Sequence, residues 1–203
     1  LPRLLIPVEA TPGETRVSAT PETVKTFVSL GCSVCLERGA GTPAGYLDAA
    51  YTDQGADLVS PGDADAWSRA DVLLCVQTPS SECLARLRRG ALVVGLLNPY
   101  ANEALAAALE RGGLSAMALE LLPRISRAQA ADALSSQANI AGDKSLLLAS
   151  GALDRYFPML MTAAGTVQPA KVVILGAGVA GLQAVATARR LGAGVYVSDI
   201  RPA

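Results

Sequence analysis

Short apolar runs alternate with segments of helical spacing along the first 122 positions of the chain. After an opening apolar run, RLLIPVEA, the runs that predict strands are CSVCLE, ADLV, DVLLCVQ, ALVVGLL and LSAMALE. The segments between them predict helices of about 8–12 residues. Strands that alternate with helices of this length form parallel βαβ units, so the pattern predicts an α/β fold.

Turn and cap residues locate the helices predicted in this region. Thr20-Pro21-Glu22 supplies an N-cap, a proline at the first helical position and an acid in the first turn, and Gly31 ends that helix. Further helices are predicted over 46–54, 81–89 and 101–111, with a short turn or helix over 65–69.

The organisation changes at Pro123. A long helical region is predicted over 127–155, with Gly142 as a candidate break, and a second βαβ pattern begins at Lys171. We therefore expect a first lobe over 1–122, a connecting helix and site loop over 123–170, and the start of a second lobe over 171–203. Both lobes are expected to be Rossmann-like with parallel sheets, and the second is only partly present in this chain.

The connecting segment carries short hydrogen-bonding side chains where an exposed helix usually carries Lys and Glu. One polar stripe is predicted from residues at steps of three and four, namely Gln129, Asp132, Ser136, Asn139 and Asp143. A solvated face is the ordinary interpretation, but the near absence of long charged side chains favours a groove that meets a ligand. Ser126 and Gln129 also fit a capping box, with Ser126 as the N-cap.

Composition excludes several functions. The 203 residues are 51% hydrophobic and 17% charged, with a net charge of −1, so a sizeable core is easily built. A nucleic-acid partner normally requires a basic excess, which is absent here, so none is expected. Histidine is absent as well, which removes the commonest general acid–base residue and metal ligand.

The cysteine and membrane patterns have structural interpretations. Cys32 and Cys35 form a C-x-x-C in a strand-like run, where residues three apart point to opposite faces, so we expect core residues and no metal site. The uncharged runs 156–170 and 172–188 are shorter than the roughly 20 residues that a spanning helix needs. We therefore expect no membrane span, and no signal peptide is predicted.

A G-x-G-x-x-G motif lies between the predicted strand KVVIL and the helix VAGLQAVATARRLGA. Gly176 permits the tight turn, Gly178 lets a pyrophosphate approach the backbone, and Gly181 allows close packing of helix and strand. The amides of the helix N-terminus, including those of Val179 and Ala180, would then face the phosphates. In this strand–turn–helix context the motif predicts a dinucleotide site.

The next predicted strand, VYVSD, ends in Asp199. A carboxylate at this position accepts hydrogen bonds from the adenosine ribose hydroxyls and repels a 2′-phosphate, which favours NAD(H) over NADP(H). Ile200 and Arg201 follow Asp199 and are assigned to the same subsite. Arg201 weakens the preference slightly, because a nearby arginine can accommodate that phosphate.

Several stretches, in order along the whole chain, resemble one family: IPVEATPGETRVSATPETV, RISRAQ, SSQANIAG, FPMLMTAAGT, PAKVVILGAGVAGLQAVATA and SDIRPA. They are similar to the NAD(H)-binding component, the α subunit, of proton-translocating transhydrogenase, in the alanine dehydrogenase/transhydrogenase family. The RISRAQ block is specific to this family. The family's polypeptide continues well beyond the position that matches residue 203.

The resemblance implies a nicotinamide site in the connecting segment. The residues that match the family's catalytic block are Arg124, Gln129, Asp132 and Ser135, with Ile125 and Ser126 beside them as cofactor-binding residues. Arg124 and the Asp132–Ser135 pair would fix the carboxamide and its ring, and Gln129 would bridge toward the second nucleotide.

Three positions depart from the family pattern. Ala130-Ala131 replaces a usual Ser-Met, Asp143 stands where an aromatic residue is common, and Cys75 occupies a frequent Lys position. None is a candidate contact, but Asp143 and Cys75 are expected to affect packing beside the site.

Alanine dehydrogenase, the related enzyme, shares the two-lobed plan and a GETRV-like opening with its arginine, here Arg16. By resemblance, that enzyme binds and protonates an oxo acid with a Lys and a His, and the matching positions here are Gln77 and Asn98. Hydride transfer between two nicotinamides needs no such proton transfer. We therefore expect direct hydride transfer from NADH to NADP⁺. The alternatives are an alanine dehydrogenase-like amino-acid dehydrogenase and a non-catalytic NAD-binding fragment.

The resemblance also implies an assembly. NADP(H) is expected on a partner domain, and a membrane domain would couple the exchange to proton translocation. The chain would be a peripheral component on the cytoplasmic face of the inner membrane, or on the matrix side in a mitochondrion, and would form a homodimer. Without its partner domains and the rest of the second lobe, it is expected to be inactive.

Overall fold

The computed structural model describes residues 1–123 and 125–201. The chain divides into two compact units, which we call the N-terminal unit (Leu1–Pro123) and the C-terminal unit (Arg124–Ala203). The described strands of the N-terminal unit are β1 (Arg3–Ile6), β2 (Ser33–Glu37), β3 (Asp57–Val59), β4 (Val72–Leu74), β5 (Leu92–Gly95) and β6 (Ser115–Ala118). Its α-helices are α1 (Pro21–Ser29), α2 (Asp48–Thr52), α3 (Ala64–Arg69), α4 (Ser81–Leu84) and α5 (Glu103–Gly112).

The six strands form one parallel sheet in the order β3-β2-β1-β4-β5-β6. The register pairs Leu4 with Val34 on one side of β1 and with Val72 on the other. This doubly wound order confirms the predicted α/β, Rossmann-like class for this unit. The strand order reverses between β1 and β4, which is where such sheets open a crevice at their carboxyl ends.

Alternation along the strands divides the N-terminal unit into two cores. On β1, Leu5 faces a cluster that contains Trp67 of α3 and Leu105 of α5, whereas Leu4 and Ile6 face the cluster of α1 and α2. Successive side chains of a strand point to opposite faces, so one apolar run supplies both cores. The same rule separates the two cysteines, since Cys32 packs against the second cluster and Cys35 against the first.

A buried carboxylate joins two loops and helix α3 of this unit. Glu37, at the end of β2, is 3% exposed and accepts hydrogen bonds from the Val8 amide at 2.8 Å, the Gly62 amide at 2.7 Å and the Trp67 indole at 2.8 Å. Burial of a carboxylate is tolerable only when its oxygens are hydrogen-bonded in this way. Glu37 therefore holds the loop after β1 and the loop before α3 against the sheet.

The C-terminal unit contains a parallel strand pair, a hairpin and two long helices. Its described elements are α6 (Ala133–Ala152), β7 (Leu160–Thr162), β8 (Gly165–Val167), β9 (Lys171–Leu175), α7 (Val179–Arg190) and β10 (Gly194–Ser198). Strands β9 and β10 are parallel, and β7 and β8 form the antiparallel hairpin. The core of this unit is small and consists of Leu146, Phe157, Ala170 and Ala188.

Several helices differ from the predicted bounds. The helices predicted over 46–54 and 81–89 are shorter and span Asp48–Thr52 and Ser81–Leu84. The long helix predicted over 127–155 begins at Ala133, after a 3₁₀ turn at Ser126–Ala131, and it passes through Gly142 without a break. Gly142 is tolerated there because tertiary packing compensates for its low helix propensity.

In the described residues of the chain, no helix is both long enough and apolar enough to span a membrane.

Replacement of Glu37 by Gln is expected to destabilise the N-terminal unit by about 1–3 kcal/mol, because the amide –NH₂ cannot accept the hydrogen bonds that one carboxylate oxygen now receives. The sequence contains a single tryptophan, Trp67, so urea unfolding followed by its fluorescence reports on this unit.

The matched control is Glu110→Gln on the exposed face of α5. It should change the free energy of unfolding by less than about 0.5 kcal/mol. Equal effects of the two substitutions would show that Glu37 contributes no more than an exposed carboxylate.

Candidate functional site

The turn between β9 and α7 has the geometry that the glycine motif predicts. Gly176 has a φ of +103°, a value that L-residues with a side chain rarely adopt, and its amide donates to the Ser198 carbonyl at 2.7 Å. The turn is therefore anchored to the end of β10. Its tightness requires a glycine at this first position.

The other two glycines of the motif differ in what surrounds them. A Cβ at Gly181 would lie 1.8 Å from the Gly176 carbonyl oxygen, so the first turn of α7 packs directly on the loop backbone. A Cβ at Gly178 would meet nothing within 4 Å. Gly178 precedes α7 and has no side-chain cap, so the amides of the first turn, from Val179 and Ala180 onward, remain available to an anion.

Asp199 closes the turn from the strand side. Its carboxylate accepts the Ala177 amide at 2.6 Å, the Arg201 amide at 2.8 Å and the Arg201 Nε at 3.3 Å. The backbone hydrogen bond from Arg201, followed by that from Ala177, lowers the pKa of Asp199 to about 2. Asp199 is therefore an anion at neutral pH, with its orientation fixed by the same turn that presents Gly176.

An open depression lies beside Asp199. It is lined by Leu175, Gly176, Ser198, Asp199, Ile200 and Arg201. Ile200 is fully exposed, and the Arg201 side chain is 74% exposed and ion-paired with Asp199. An apolar rim beside one oriented carboxylate suits a nucleoside, which has a flat base and a ribose with hydroxyl groups.

The predicted capping box at Ser126 is wrong. The turn at Ser126–Ala131 has no side-chain cap, and Asp132 caps α6 instead. Asp132 accepts the Ser135 amide at 2.9 Å and the Ser135 hydroxyl at 2.6 Å. A carboxylate that accepts both donors of one serine forms the stronger cap, because its hydrogen bonds are charge-assisted.

The predicted polar stripe is only partly formed, because Ser136, Asn139 and Asp143 lie within α6 whereas Gln129 precedes it and Asp132 is its N-cap. Gln129 is exposed on the 3₁₀ turn, and Asn139 is exposed on α6. Ser136 donates back to the Asp132 carbonyl at 3.2 Å, and Asp143 accepts a hydrogen bond from Thr187 of α7 at 2.6 Å. Spacing alone placed these residues on one face because it assumed a helix that begins before Asp132.

The remaining candidates of the block are accessible. Ile125 is 54% exposed, and Ser126 is exposed as well. Arg124 lies outside the described residues.

In the N-terminal unit, the crevice between β1 and β4 is occupied by the chain's own carboxylate. Glu9 accepts the amides of Val76 at 2.5 Å and Gln77 at 3.0 Å. Burial raises the pKa of Glu9. The first βα turn of this unit therefore presents an acid where the turn after β9 presents glycines, and it is unsuited to a phosphate.

Arg16 and Gln77 belong to a local network around Glu14. The Glu14 side chain is 7% exposed and accepts Arg16 Nε at 2.8 Å, Arg16 Nη2 at 2.6 Å and Gln77 Nε2 at 2.8 Å. The Arg16 hydrogen bonds lower the pKa of Glu14 to about 2. Arg16 and Gln77, which the resemblance to alanine dehydrogenase indicated as substrate positions, thus both donate hydrogen bonds to Glu14.

Asn98 and Cys75 also have structural roles in this unit. Asn98 adopts a φ of +46°, and its backbone N–H donates a hydrogen bond to the carboxylate of Glu120. Cys75 is 5% exposed, and burial raises its pKa to about 12, so its thiol stays neutral in the core.

The acids Glu9, Glu14 and Glu120 were not among the predicted site residues. Glu9 and Glu120 directly follow apolar runs, a position at the carboxyl edge of a parallel sheet that could have indicated them.

The C-terminal strand–turn–helix and the parallel sheets define an α/β protein of the Rossmann-like nucleotide-binding class. The family model for the alanine dehydrogenase/PNT N-terminal domain matches residues 5–141, and that for the C-terminal domain matches residues 145–203. The chain belongs to this alanine dehydrogenase/PNT family.

Individual relatives agree with the family assignment. NAD(P) transhydrogenase subunit alpha (first part) of Rhodospirillum rubrum is 46% identical over 99% of this chain, which spans 53% of that protein. A crystal structure of transhydrogenase from Sinorhizobium meliloti has a TM-score of 0.93 at 46% identity and covers 98% of this chain, which spans 59% of that chain. Alanine dehydrogenase of Mycobacterium tuberculosis is 34% identical over 98% of this chain, which spans 53% of that enzyme. The chain therefore spans about half the length of these relatives.

The glycine turn predicts unequal effects of two alanine substitutions on stability. Gly181→Ala should lower the free energy of unfolding by at least about 2 kcal/mol, because its methyl group would overlap a backbone carbonyl. Gly178→Ala should change it by less than about 1 kcal/mol, because φ there is −76° and the space is open. Thermal unfolding followed by circular dichroism compares the two. Equal loss of stability in both variants would contradict the geometry of the turn.

The Glu14 network predicts a specific acid sensitivity. The pKa of Glu14 is about 2, below the ordinary value of 4.5, so this carboxylate stabilises the fold above pH 4.5 and the contribution disappears as pH falls toward 2. In Arg16→Met, the pKa of Glu14 should rise toward 4.5, and in Gln77→Leu it should rise less. Carbon-detected NMR titration of the Glu14 carboxyl measures both shifts. An ordinary pKa for Glu14 in the unaltered protein would exclude the network.

Proposed function

We propose that this chain is the NAD(H)-binding component of a proton-translocating transhydrogenase. NADH bound here gives a hydride directly to NADP⁺ held on a partner domain, so NADH is oxidised to NAD⁺ while NADP⁺ is reduced to NADPH. The hydride carries both electrons, and no proton is exchanged with water in this step. The similarity to transhydrogenase α subunits over nearly the whole chain supports the proposal.

The turn after β9 is suited to hold the dinucleotide. The open space at Gly178 leaves room for a diphosphate against the amides that begin α7, where the helix dipole favours negative charge. Asp199 would accept the hydroxyls of the adenosine ribose and repel a 2′-phosphate, which selects NAD(H). Ile200 and Arg201 would border the adenine, and Val179 and Ala180 the phosphates.

The block before α6 is proposed to hold the nicotinamide end. Asp132 and Ser135 would bind the carboxamide, and their mutual hydrogen bonds already orient them at the first turn of α6. Arg124 would act with this pair, while Ile125 and Ser126 would contact the cofactor beside it. Gln129, which is exposed, would bridge toward the second nucleotide.

The observation that favours hydride exchange over an oxo-acid reaction is that the polar residues of the N-terminal crevice are hydrogen-bonded to one another and to the local backbone. Gln77 donates to Glu14, Arg16 is bound to the same carboxylate, and Glu9 accepts the local amides. Reductive amination needs a group that delivers a proton to the substrate, and neither Gln77 nor Asn98 titrates. Hydride exchange requires only proximity and orientation of the two rings, which fits this set of residues.

The wider assembly belongs to the proposal. The relatives are named as transhydrogenase subunits, which supports an NADP(H)-binding partner domain and a membrane domain. We place the chain as a peripheral component on the cytoplasmic face of the inner membrane, or on the matrix side in a mitochondrion, and as a homodimer.

The function predicts direct transfer of isotope between nucleotides. With a polypeptide that carries the complete second lobe, NADH deuterated at C4, NADP⁺ and an NADP(H)-binding transhydrogenase domain, deuterium should appear in NADPH and none in solvent, because the hydride never equilibrates with water. Mass spectrometry of the isolated nucleotides measures the transfer.

Two control reactions separate the alternatives. Omission of the partner domain should abolish transfer, and pyruvate with ammonia should give no NADH oxidation. Oxidation of NADH by pyruvate and ammonia would instead establish an amino-acid dehydrogenase. Absence of both reactions with NADH binding retained would leave a non-catalytic NAD-binding fragment.

A further inference from the structure

The turn proposed to receive the diphosphate is backed by a glycine of α6. Gly142 is buried against the first turn of α7, and a Cβ there would lie 2.1 Å from the Ala180 carbonyl oxygen and 2.8 Å from its carbonyl carbon. No flexible side chain intervenes, so only a glycine lets α6 touch the α7 backbone at this depth. The contact falls inside the glycine motif itself, next to Gly181.

The next residue makes a second contact with α7. Asp143 accepts a hydrogen bond from the Thr187 hydroxyl at 2.6 Å, and Thr187, which is 7% exposed, also receives one from Gln183 Nε2 at 3.2 Å. Thr187 follows Ala180 by seven residues, about two helical turns or roughly 10 Å. Contacts at two separated points on α7 fix both the distance between the helices and their relative rotation.

The same helix carries the proposed headgroup residues. Ser135, hydrogen-bonded to Asp132, precedes Gly142 by seven residues along an uninterrupted α6, again roughly 10 Å. One end of this segment therefore presents the Asp132–Ser135 pair, and the other end rests on the diphosphate turn. An α-helix is stiff over two turns. The contact at Gly142 therefore sets the distance between the Asp132–Ser135 pair and the diphosphate turn.

We propose that Gly142 and Asp143 are positioning residues that set the span between the nicotinamide and diphosphate ends of the dinucleotide site. Neither residue is proposed to contact the dinucleotide itself, and both act through the contact of α6 with α7. This inference rests on the proposed function of the two ends. A methyl group at position 142 would push the helices apart and move Ser135 away from the ring, while Asp199 and the adenosine subsite stay with β10.

The test compares ligands that occupy different lengths of the site in Gly142→Ala. Calorimetry of the whole chain with NADH, ADP-ribose and AMP gives three dissociation constants. We expect NADH binding to weaken at least about tenfold, and the preference for NADH over ADP-ribose to fall at least about fivefold, because misplacement of about 1 Å is enough for such losses. AMP binding should stay within about twofold of the unaltered protein.

Gly151→Ala is the matched control on the same helix. A Cβ at Gly151 meets nothing within 4 Å, so all three dissociation constants should stay within about twofold. A general effect of alanine on α6 would appear in both variants, whereas the proposed effect appears only at position 142.

A second pair of variants covers the case in which Gly142→Ala does not fold. Thr187→Val removes the hydroxyl that bonds Asp143 and keeps the shape, and Thr187→Ser retains the hydroxyl. The preference for NADH over ADP-ribose should fall in the valine variant and return in the serine variant.

The outcomes are distinct. An unchanged preference in Thr187→Val, or equal weakening of NADH, ADP-ribose and AMP in either variant, would overturn the positioning role. Failure of the unaltered protein to bind NADH would instead contradict the proposed function on which the role rests.

Discussion

The structure of the C-terminal unit depends on backbone-to-backbone contact at glycine. Gly181 packs on the Gly176 carbonyl with no room for a Cβ, and Gly142 packs on the Ala180 carbonyl in the same way. These contacts bring β9, α6 and α7 together around one turn in a unit whose buried core is small. Close backbone packing takes the place of large buried side chains here. It holds α6 and α7 in a fixed relative position although few large side chains lie between them.

The two units show how one architecture serves different purposes. Each has a parallel βα unit, but the first turn of the N-terminal unit ends in Glu9, whereas the turn after β9 is built from glycines. The Glu9 carboxylate accepts hydrogen bonds from the amides of Val76 and Gln77 after β4, so these donors are already used within the chain. The fold is shared, and the residues at the strand ends determine what each crevice can bind.

The Asp132–Ser135 pair joins structure and the proposed chemistry. As the N-cap, Asp132 sets the residue at which α6 begins, and the contacts of Gly142 and Asp143 with α7 set which face of α6 is packed. Asp143, which was expected to affect packing beside the site, has a hydroxyl partner on α7.

The sequence by itself determined the α/β class, the order of strands and helices in the N-terminal unit, the glycine turn and the acid at Asp199, because these depend on local periodicity and on residues with special backbone geometry. The hairpin of β7 and β8 lies where a loop was predicted. Tertiary structure alone decided where α6 begins and that Glu9, Glu14 and Glu37 bind backbone or side-chain donors from distant segments. It also decided that Gly142 is a contact between α6 and α7, although a glycine at this position suggested a break in the helix. The reason is that caps and buried carboxylates take partners from segments far apart in the chain, and a local pattern contains no information about those partners.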